Sequence, residues 1–280
     1  AALPVRRTVL IAVTAFVIVA LAAAIALRAY QWSGFGRMIT AEVEHHPDSL
    51  RANFQYGQLL MAQLDKPALR DEAARLAKEH FARVARLDPD NADALFGLVV
   101  LELTLDRTPP GPLVEALVAR LRQIPFNPLN INSGQFAFLV EWHDGDSPRA
   151  RLSKEQMLAI FDAALANPTI PSVAQASVYH ALRAYHHRVL GDAEAALRYA
   201  ELAVQAAPSE WEMQDRRIRL LATLGRFDEA EQALREAVVS DTAGVRGARA
   251  ERLAAVIERA RRGEPVPAAP RDETANGAAR

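Results

Sequence analysis

The chain has 280 residues, 50% of them hydrophobic, with 33 lysine and arginine residues against 34 aspartate and glutamate residues and no cysteine. The formal net charge of -1 argues against a protein that binds nucleic acid through bulk electrostatics, and the absence of cysteine excludes disulfide scaffolds, zinc ribbons and thiol chemistry. The length and the apolar content are sufficient for a hydrophobic core in one elongated domain or in one to two compact domains.

The first predicted element is a transmembrane helix over residues 8–28, after a short N-terminal flank over residues 1–7. The twenty residues from Thr8 to Leu27 carry no charge. At about 1.5 Å per residue, a helix of that length crosses a hydrocarbon core of roughly 30 Å. Basic and aromatic residues typical of the headgroup layer flank the segment, namely Arg6, Arg7, Arg28, Tyr30 and Trp32. Residues 8–28 are therefore predicted to contact the lipid bilayer.

Two other interpretations of this segment stay open. The first is a buried core helix, which would normally carry a polar stripe that the segment lacks. The second is a cleaved signal peptide, because Ala24 and Ala26 follow the apolar run with the small-x-small spacing of a cleavage site.

The positive-inside rule leaves the membrane orientation nearly balanced. Two arginines lie on each side of the segment, Arg6 and Arg7 before it and Arg28 and Arg37 after it. We favour a cytoplasmic N terminus. The chain then crosses the inner (cytoplasmic) membrane once, and everything after residue 28 lies in the periplasm.

The rest of the chain is predicted to be all-α, because helical periodicity is continuous and no run of alternating β-branched residues occurs. Five prolines recur at intervals of 42, 39, 40 and 40 residues: Pro47, Pro89, Pro128, Pro168 and Pro208. Such a period is typical of a solenoid of helix pairs. We predict a juxtamembrane half-repeat over residues 29–48 and then about five repeats over residues 49–242, at about 50–89, 92–128, 129–168, 172–208 and 211–242.

A second pattern recurs inside these intervals. Gly191-Asp192 and, 34 residues later, Gly225-Arg226 each precede a row of small or apolar residues: Ala196, Ala200 and Ala203 in the first case, Ala230, Leu234 and Ala237 in the second. The first repeat has the same order in Gly57, Ala77, Phe81, Ala85 and Pro89. This pattern resembles the tetratricopeptide repeat. The resemblance implies a solenoid of helix-turn-helix units in which small residues permit close helix packing and proline ends the second helix.

Two further elements are predicted after the repeats. Leu253, Val256 and Ile257 give residues 243–263 one apolar face, as expected of a capping helix. Residues 264–280 have almost no apolar bulk, which predicts a disordered tail.

The sequence shows no catalytic pattern. It lacks G-x-S-x-G, HExxH, phosphate-loop and dinucleotide-binding glycine motifs. Two histidine groups invite a metal hypothesis, but adjacent histidines on a helix point apart, and ordinary surface positions are favoured for Glu42, Glu44, His45, His46, His180, His186 and His187. A solvated loop is likewise favoured for the carboxylates of Glu141, Asp144 and Asp146. We predict no catalytic, cofactor-binding or metal-binding residue in this chain and no enzyme activity.

A repeat solenoid binds partners through its surface, so we expect a protein or peptide partner and no nucleic acid. The candidate groove residues are Phe54, Gln58, Phe96, Tyr185, Arg188 and Arg219. Packing between helices is the alternative for Phe54, Phe96 and Val100. Tyrosine and arginine anchor many protein interfaces, which favours the last three candidates. The lysine and asparagine clamp of repeats that bind acidic chaperone tails is missing, so such tails are not the expected ligand.

The junction between the apolar segment and the repeats carries a second resemblance. It is similar to the last membrane helix and first repeats of multi-pass O-mannosyltransferase-like glycosyltransferases, through Arg28, Trp32, Pro47, Ser49, Arg51, Ala52 and Gly57. This resemblance implies a longer parent enzyme in which the present region recognises an acceptor or partner. The catalytic acidic loop of those enzymes is absent from this chain, so no catalytic residue is implied here.

The sequence therefore supports two main functions. The first is a membrane-anchored repeat scaffold at the extracytoplasmic face, and the second is the recognition region of a multi-pass glycosyltransferase. A cytoplasmic regulatory domain remains a third interpretation, because the arginine counts hardly distinguish the two orientations.

Overall fold

The computed structural model describes residues 3–123, 125, 133–144, 152–239 and 247–267. These residues form thirteen α-helices and one π-helical turn, and none of them lies in a β-strand. The predicted all-α class is confirmed for this part of the chain. The helices belong to two compact units, Ala1–Leu105 and Asp106–Arg280. The division falls inside the predicted second repeat.

The first unit contains five helices: α1 Leu3–Trp32, α2 Phe35–His45, α3 Leu50–Met61, α4 Arg70–Leu87 and α5 Ala92–Thr104. The second unit contains α6 Gly111–Gln123, α7 Ser133–Asp144, α8 Lys154–Leu165, α9 Ser172–Ala184 with the π-helical turn Tyr185–Val189, α10 Ala193–Ala206, α11 Trp211–Thr223, α12 Phe227–Val239 and α13 Gly247–Arg261. Each of the five predicted repeats thus includes two helices, and α13 lies within the predicted capping helix.

Helix α1 is long and apolar enough to cross a membrane. Its candidate span, Val9–Tyr30, has 22 residues, a mean hydropathy of 2.9 and no residue buried inside the protein. Full exposure argues against the core-helix interpretation, since a core helix of a soluble protein is mostly buried. At its end, the guanidinium carbon of Arg28 lies 5.7 Å from the centroid of the Trp32 ring, and that of Arg37 lies 4.6 Å from the Tyr30 ring.

Polar side chains cap the N termini of several helices after α1. The hydroxyl of Ser49 accepts the backbone N–H of Ala52 at the start of α3, and Asn91 caps α5 in the same way. Ser153 and Gln156 form a reciprocal capping box at the start of α8. These caps follow directly from the local sequence.

Glycine breaks the chain between helices of the second unit. Gly191 and Gly225 have φ of 68° and 74°, the left-handed region that side chains with a Cβ rarely adopt. Gly191 lies between the π-helical turn after α9 and the start of α10, and Gly225 lies between α11 and α12. The backbone conformation of these two turns therefore requires glycine, and the sequence pattern had already marked both positions.

In the first unit, the aromatic ring of Phe81 fills the space between three helices. Phe81 on α4 is fully buried, and Gly57 on α3 and Gly97 on α5 both face its ring. A Cβ atom on Gly57 would lie 2.7 Å from the nearest ring carbon, and one on Gly97 would lie 2.8 Å away. Both distances are shorter than van der Waals contact, so only glycine fits at either position.

In the second unit, a core of small residues joins α10 to α13. The apolar side chains of Trp211, Ile218 and Leu221 on α11 pack among alanines of α10 and α12. Leu253 and Ile257 cover this core from α13, and both are about 1% exposed. Because alanine has no side chain beyond Cβ, neighbouring helices approach closely here.

Candidate functional site

The six candidate groove residues fall in both units. Phe54 and Gln58 lie on α3 and Phe96 lies on α5, all in the first unit. Tyr185 and Arg188 lie on the π-helical turn and Arg219 lies on α11, all in the second. Each set is therefore described within its own unit.

Of the three candidate groove residues in the first unit, only Gln58 is exposed. Phe96 has no exposed surface, and Phe54 is half-buried with its ring centroid 5.6 Å from that of Phe81. Both phenylalanines contribute to the helix core, which agrees with the packing alternative. Phe96 therefore has no surface to offer a partner.

In the second unit, Tyr185 is also buried, at 2% exposure. Its ring packs near those of Phe161, His143 and His186, with centroids 6.2 to 6.3 Å apart. Burial raises the pKa of the Tyr185 hydroxyl, and the charge of Glu155 raises it further. Tyr185 therefore packs between neighbouring helices and does not face a partner.

The two candidate arginines have different surroundings. Arg188 is 40% exposed, and its Nη1 lies 2.9 Å from Oδ2 of Asp144. Arg219 is only 12% exposed, because its Nε donates to Oδ2 of Asp215 at 2.7 Å and its Nη1 donates to the backbone carbonyl of Pro267 at 2.9 Å. Two donor nitrogens of Arg219 are thus used within the chain.

The contact with Pro267 also concerns the predicted disordered tail. Residues 264–267 pack on the helices of their own unit: Val266 contacts the apolar core of α10 to α13, and Glu264 pairs with Arg259 and Arg262. The rest of the predicted tail, residues 268–280, lies outside the described residues. Apolar contact through Val266 is the physical reason that the first part of this segment has a defined position.

A group of basic side chains that the sequence analysis did not predict is contributed by α9, the π-helical turn after it and α11, and their charges act on one another. It consists of His180 and Arg183 on α9, His187 and Arg188 on the π-helical turn, and Arg216 on α11, and we call it the arginine cluster. Arg183 Nε donates to Nδ1 of His180 over 3.2 Å. Since a guanidinium can only donate, Nδ1 accepts, and the proton of a neutral His180 is on Nε2.

The electrostatics of the arginine cluster disfavour positive charge. Burial lowers the pKa of His180 well below its usual value, and the charges of Arg183, Arg216 and Arg188 lower it further. Burial, with Arg216 and Arg188, also lowers the pKa of Arg183 to about 10. The pKa of His187 falls for the same reasons, although Asp144 opposes the fall. Both histidines are therefore neutral near pH 7.

One sequence signal could have identified this cluster. His180, Arg183 and His187 are three and four residues apart, which places them on one face of a continuing helix. The contribution of Arg216 could not be seen in this way, because it comes from a different helix.

The other histidines do not form a metal site in the described part of the chain. Among those residues, no three side chains of the histidine, cysteine, aspartate and glutamate types are placed to hold a metal ion. His45 Nδ1 lies 2.7 Å from the Ala41 carbonyl on its own helix. His186 Nδ1 lies 3.7 Å from Oδ2 of Asp192, and burial lowers the pKa of His186.

A buried polar pair in the first unit joins α3 to α4. The side-chain amide of Asn53 donates to the backbone carbonyls of Pro47 and Ser49, at 2.7 and 2.8 Å. Its carbonyl oxygen lies 2.8 Å from His80 Nδ1, which must therefore donate. Burial lowers the pKa of His80. The pair satisfies polar groups of the turn before α3, which is a structural role.

No protein-family model matches the sequence, and no curated protein matches it significantly.

Proposed function

We propose that this chain is a membrane-anchored scaffold of the tetratricopeptide type, which holds a protein or peptide partner at the extracytoplasmic face of the inner membrane. The observation that carries the proposal is the packing of Phe81 against Gly57 and Gly97. In the repeat pattern, a small residue on the first helix of a unit faces a bulky residue on the second. Here one ring is enclosed by glycines of two successive first helices.

The second unit supports the same proposal. The alanines that follow Gly191 and Gly225 in the repeat pattern are all 2% exposed or less: Ala196, Ala200, Ala203, Ala230 and Ala237. Small residues at these places let the two helices of a pair lie close together. Helix pairs spaced by about 40 residues are the unit from which such solenoids are built.

Helix α1 supports the anchoring part of the proposal. Its exposed apolar span of 22 residues needs a nonpolar environment, which the bilayer supplies. The arginine–aromatic contacts at its C-terminal end are typical of a headgroup layer. With a cytoplasmic N terminus, the helices after α1 lie outside the cytoplasm.

The recognition region of a multi-pass glycosyltransferase is the second candidate. The order of residues at the junction between α1 and the repeats favours this second candidate. Several of those residues make specific contacts in the structure. Arg28 lies over Trp32, Ser49 caps α3, and Gly57 accommodates Phe81. In this case the chemistry would belong to a part of the protein upstream of Ala1.

An immunoblot of source-cell membranes, with an antibody against the second unit, distinguishes the two candidates. A native polypeptide near the calculated 30.7 kDa supports the scaffold. A much larger polypeptide in the membrane fraction supports the glycosyltransferase region.

Photo-crosslinking tests the scaffold function itself. A photoreactive residue is introduced at exposed Gln58 or at exposed Arg188 in the full chain, and Arg252, exposed on α13, is the matched control position. We expect a discrete crosslinked protein from Gln58 or Arg188 and none from Arg252. The absence of a discrete product from both test positions would contradict the scaffold function.

A further inference from the structure

The four residues after α13 and its cap do not leave the second unit but lie against it. Gly263 follows the last turn of α13 with a φ of 79°, and the backbone N–H of Glu264 donates to the carbonyl of Arg259 at 3.0 Å. A left-handed glycine with such a hydrogen bond is a common helix C-cap. We call residues 264–267, which follow this cap, the docked segment.

Two prolines restrict the backbone of the docked segment. Pro265 and Pro267 disfavour helical backbone at the residues before them, which are Glu264 and Val266. Glu264 and Val266 are partly buried, whereas Pro265 and Pro267 are exposed. This alternation is that of an extended chain with one side on the protein and the other in solvent. Because prolines leave few conformations to the free chain, such a segment loses little entropy when it docks.

The helices of the second unit offer a separate contact to each part of the docked segment. At its start, Oε2 of Glu264 accepts from Nε of Arg259 on α13 at 2.8 Å. In the middle, the side chain of Val266 packs against the apolar core of α10 to α13. At its end, Nη1 of Arg219 on α11 donates to the backbone carbonyl of Pro267 at 2.9 Å. The surface thus contacts a carboxylate, an apolar side chain and a backbone carbonyl, in that order along an extended chain.

These contacts hold the docked segment only weakly. The side chains of Arg259 and Glu264 remain 45% and 40% exposed, and an ion pair in contact with solvent contributes little to stability. Val266 is only partly buried. Weak contacts are sufficient here because the segment is tethered to the surface that it covers. A partner that offers the same groups together with further contacts can therefore displace it.

We propose that the surface of α11 and α13 under the docked segment binds an extended peptide segment of a partner protein, and that the docked segment occupies this surface in the free protein. The partner segment carries an acidic residue two positions before an apolar residue, and a proline follows the apolar residue. These groups match the contacts at Arg259, at the apolar core and at Arg219. This binding mode rests on the proposed scaffold function, and it explains why the candidate groove residue Arg219 contacts the backbone of its own chain.

A photoreactive peptide with the sequence of residues 263–268 is the probe for this surface. It is titrated into the full chain in a nonionic detergent, and the crosslinking yield gives the concentration for half-saturation. We expect saturable crosslinks that map to α11 and α13. A peptide with aspartate in place of its valine is the control, and we expect it not to crosslink. The absence of saturable crosslinking, or equal crosslinking by both peptides, would contradict the proposal.

Two variants of the full chain test whether the docked segment competes with the peptide. Val266→Asp places a charge against the apolar core and releases the segment, whereas Pro265→Asp adds the same charge at the exposed neighbouring position. We expect Val266→Asp to bind the peptide about tenfold or more tightly than the wild type or Pro265→Asp, because its tethered competitor is lost. Equal affinities in the three proteins would show that the docked segment does not block the site.

A spin label on an otherwise unchanged chain covers the case in which Val266→Asp does not fold. The label is attached through Pro265→Cys at an exposed position of the docked segment, and Gln232→Cys on α12 carries the control label. We expect the peptide to increase the mobility of the label at residue 265 in a saturable way and to leave the label at residue 232 unchanged. A label at residue 265 that does not respond to the peptide would contradict displacement.

Two results separate this binding mode from the alternatives. If photo-crosslinking from Gln58 or Arg188 captures a discrete protein but the peptide does not bind, the scaffold function stands and the peptide site is wrong. If the full chain in detergent is a dimer that Val266→Asp converts to a monomer, a second copy of the chain is the occupant, which would contradict a partner protein at this surface.

Discussion

The packing of one phenylalanine ring against two glycines shows how strictly single residues determine helix spacing. Phe81 has no exposed surface, and the ring leaves no volume for a methyl group at Gly57 or Gly97. The glycines reduce helix propensity by up to about 1 kcal/mol each relative to alanine. Close packing of the helices against the Phe81 ring offsets this loss of helix propensity. The short distances from both glycines to the ring indicate that the packing requires glycine.

We therefore expect Gly57→Ala to destabilise the protein by about 1 to 3 kcal/mol, because the new methyl group would overlap the Phe81 ring. Chemical denaturation of the full chain in detergent measures the change. The matched control is Gly36→Ala on α2, where the nearest atom to a new Cβ is a Leu59 methyl carbon 3.7 Å away. If Gly57→Ala is as stable as Gly36→Ala, the packing described for α3 and α4 is wrong.

Buried histidines make stability depend on pH in a defined direction. Burial lowers the pKa of His180 in the folded state, so the unfolded chain binds more protons than the folded chain below the usual pKa of about 6.5. Stability is therefore complete above that pH and falls as the pH decreases. The contribution of one group is at most about 1.4 kcal/mol for each pH unit. His80, His186 and His187 act in the same direction.

We expect His180→Gln to flatten this dependence, because glutamine can still accept from Arg183 but does not become charged. Denaturation midpoints at pH 7.5 and pH 5.5 are compared in the wild type and the variant. A loss of stability between these pH values that is equal in both proteins would show that His180 does not titrate as described.

At the scale of the helices, glycine turns and polar caps determine where several of the elements begin and end. Gly191 and Gly225 adopt positive φ before α10 and α12, while Ser49 and Asn91 cap α3 and α5. These features act within a few residues of the chain. They define the helix ends without contacts from distant parts of the chain.

We expect Gly225→Ala to cost about 1 to 2 kcal/mol, because alanine is strained in the left-handed conformation. Gly111→Ala at the start of α6 is the control, since nothing lies within 4 Å of its new Cβ and its φ is not positive. Both changes are followed by chemical denaturation. A smaller loss for Gly225→Ala than for Gly111→Ala would contradict the role of this turn.

The elements were predictable from sequence because their signals are local. The apolar run before Arg28 and the Gly-containing turns can be identified without knowing which helices are neighbours. The candidate site was less predictable, because it depends on which face of a helix meets another helix. Phe96 and Tyr185 are buried, and Arg219 contacts the backbone of Pro267, 48 residues later. The charge of Arg216 acts on Arg183 although the two residues lie on different helices, α11 and α9.

At the scale of the whole molecule, an exposed apolar helix precedes helices whose surfaces are polar and charged. The span Val9–Tyr30 has no protein cover, whereas the later helices bury most of their large apolar residues in their own units. This separation is what a membrane-anchored scaffold requires. It supports the proposal that α1 holds the two units at the extracytoplasmic face of the inner membrane.

Thiol labelling tests this claim most directly, because the natural chain has no cysteine. A single cysteine is introduced by Gln232→Cys on α12, at an exposed position, or by Ala2→Cys before α1, and intact spheroplasts are treated with a membrane-impermeant maleimide. We predict labelling of Gln232→Cys in intact spheroplasts, labelling of Ala2→Cys only after lysis, and retention of both proteins in the membrane fraction. Labelling of Ala2→Cys alone in intact spheroplasts, or release of the Gln232→Cys protein from the membrane, would contradict the account.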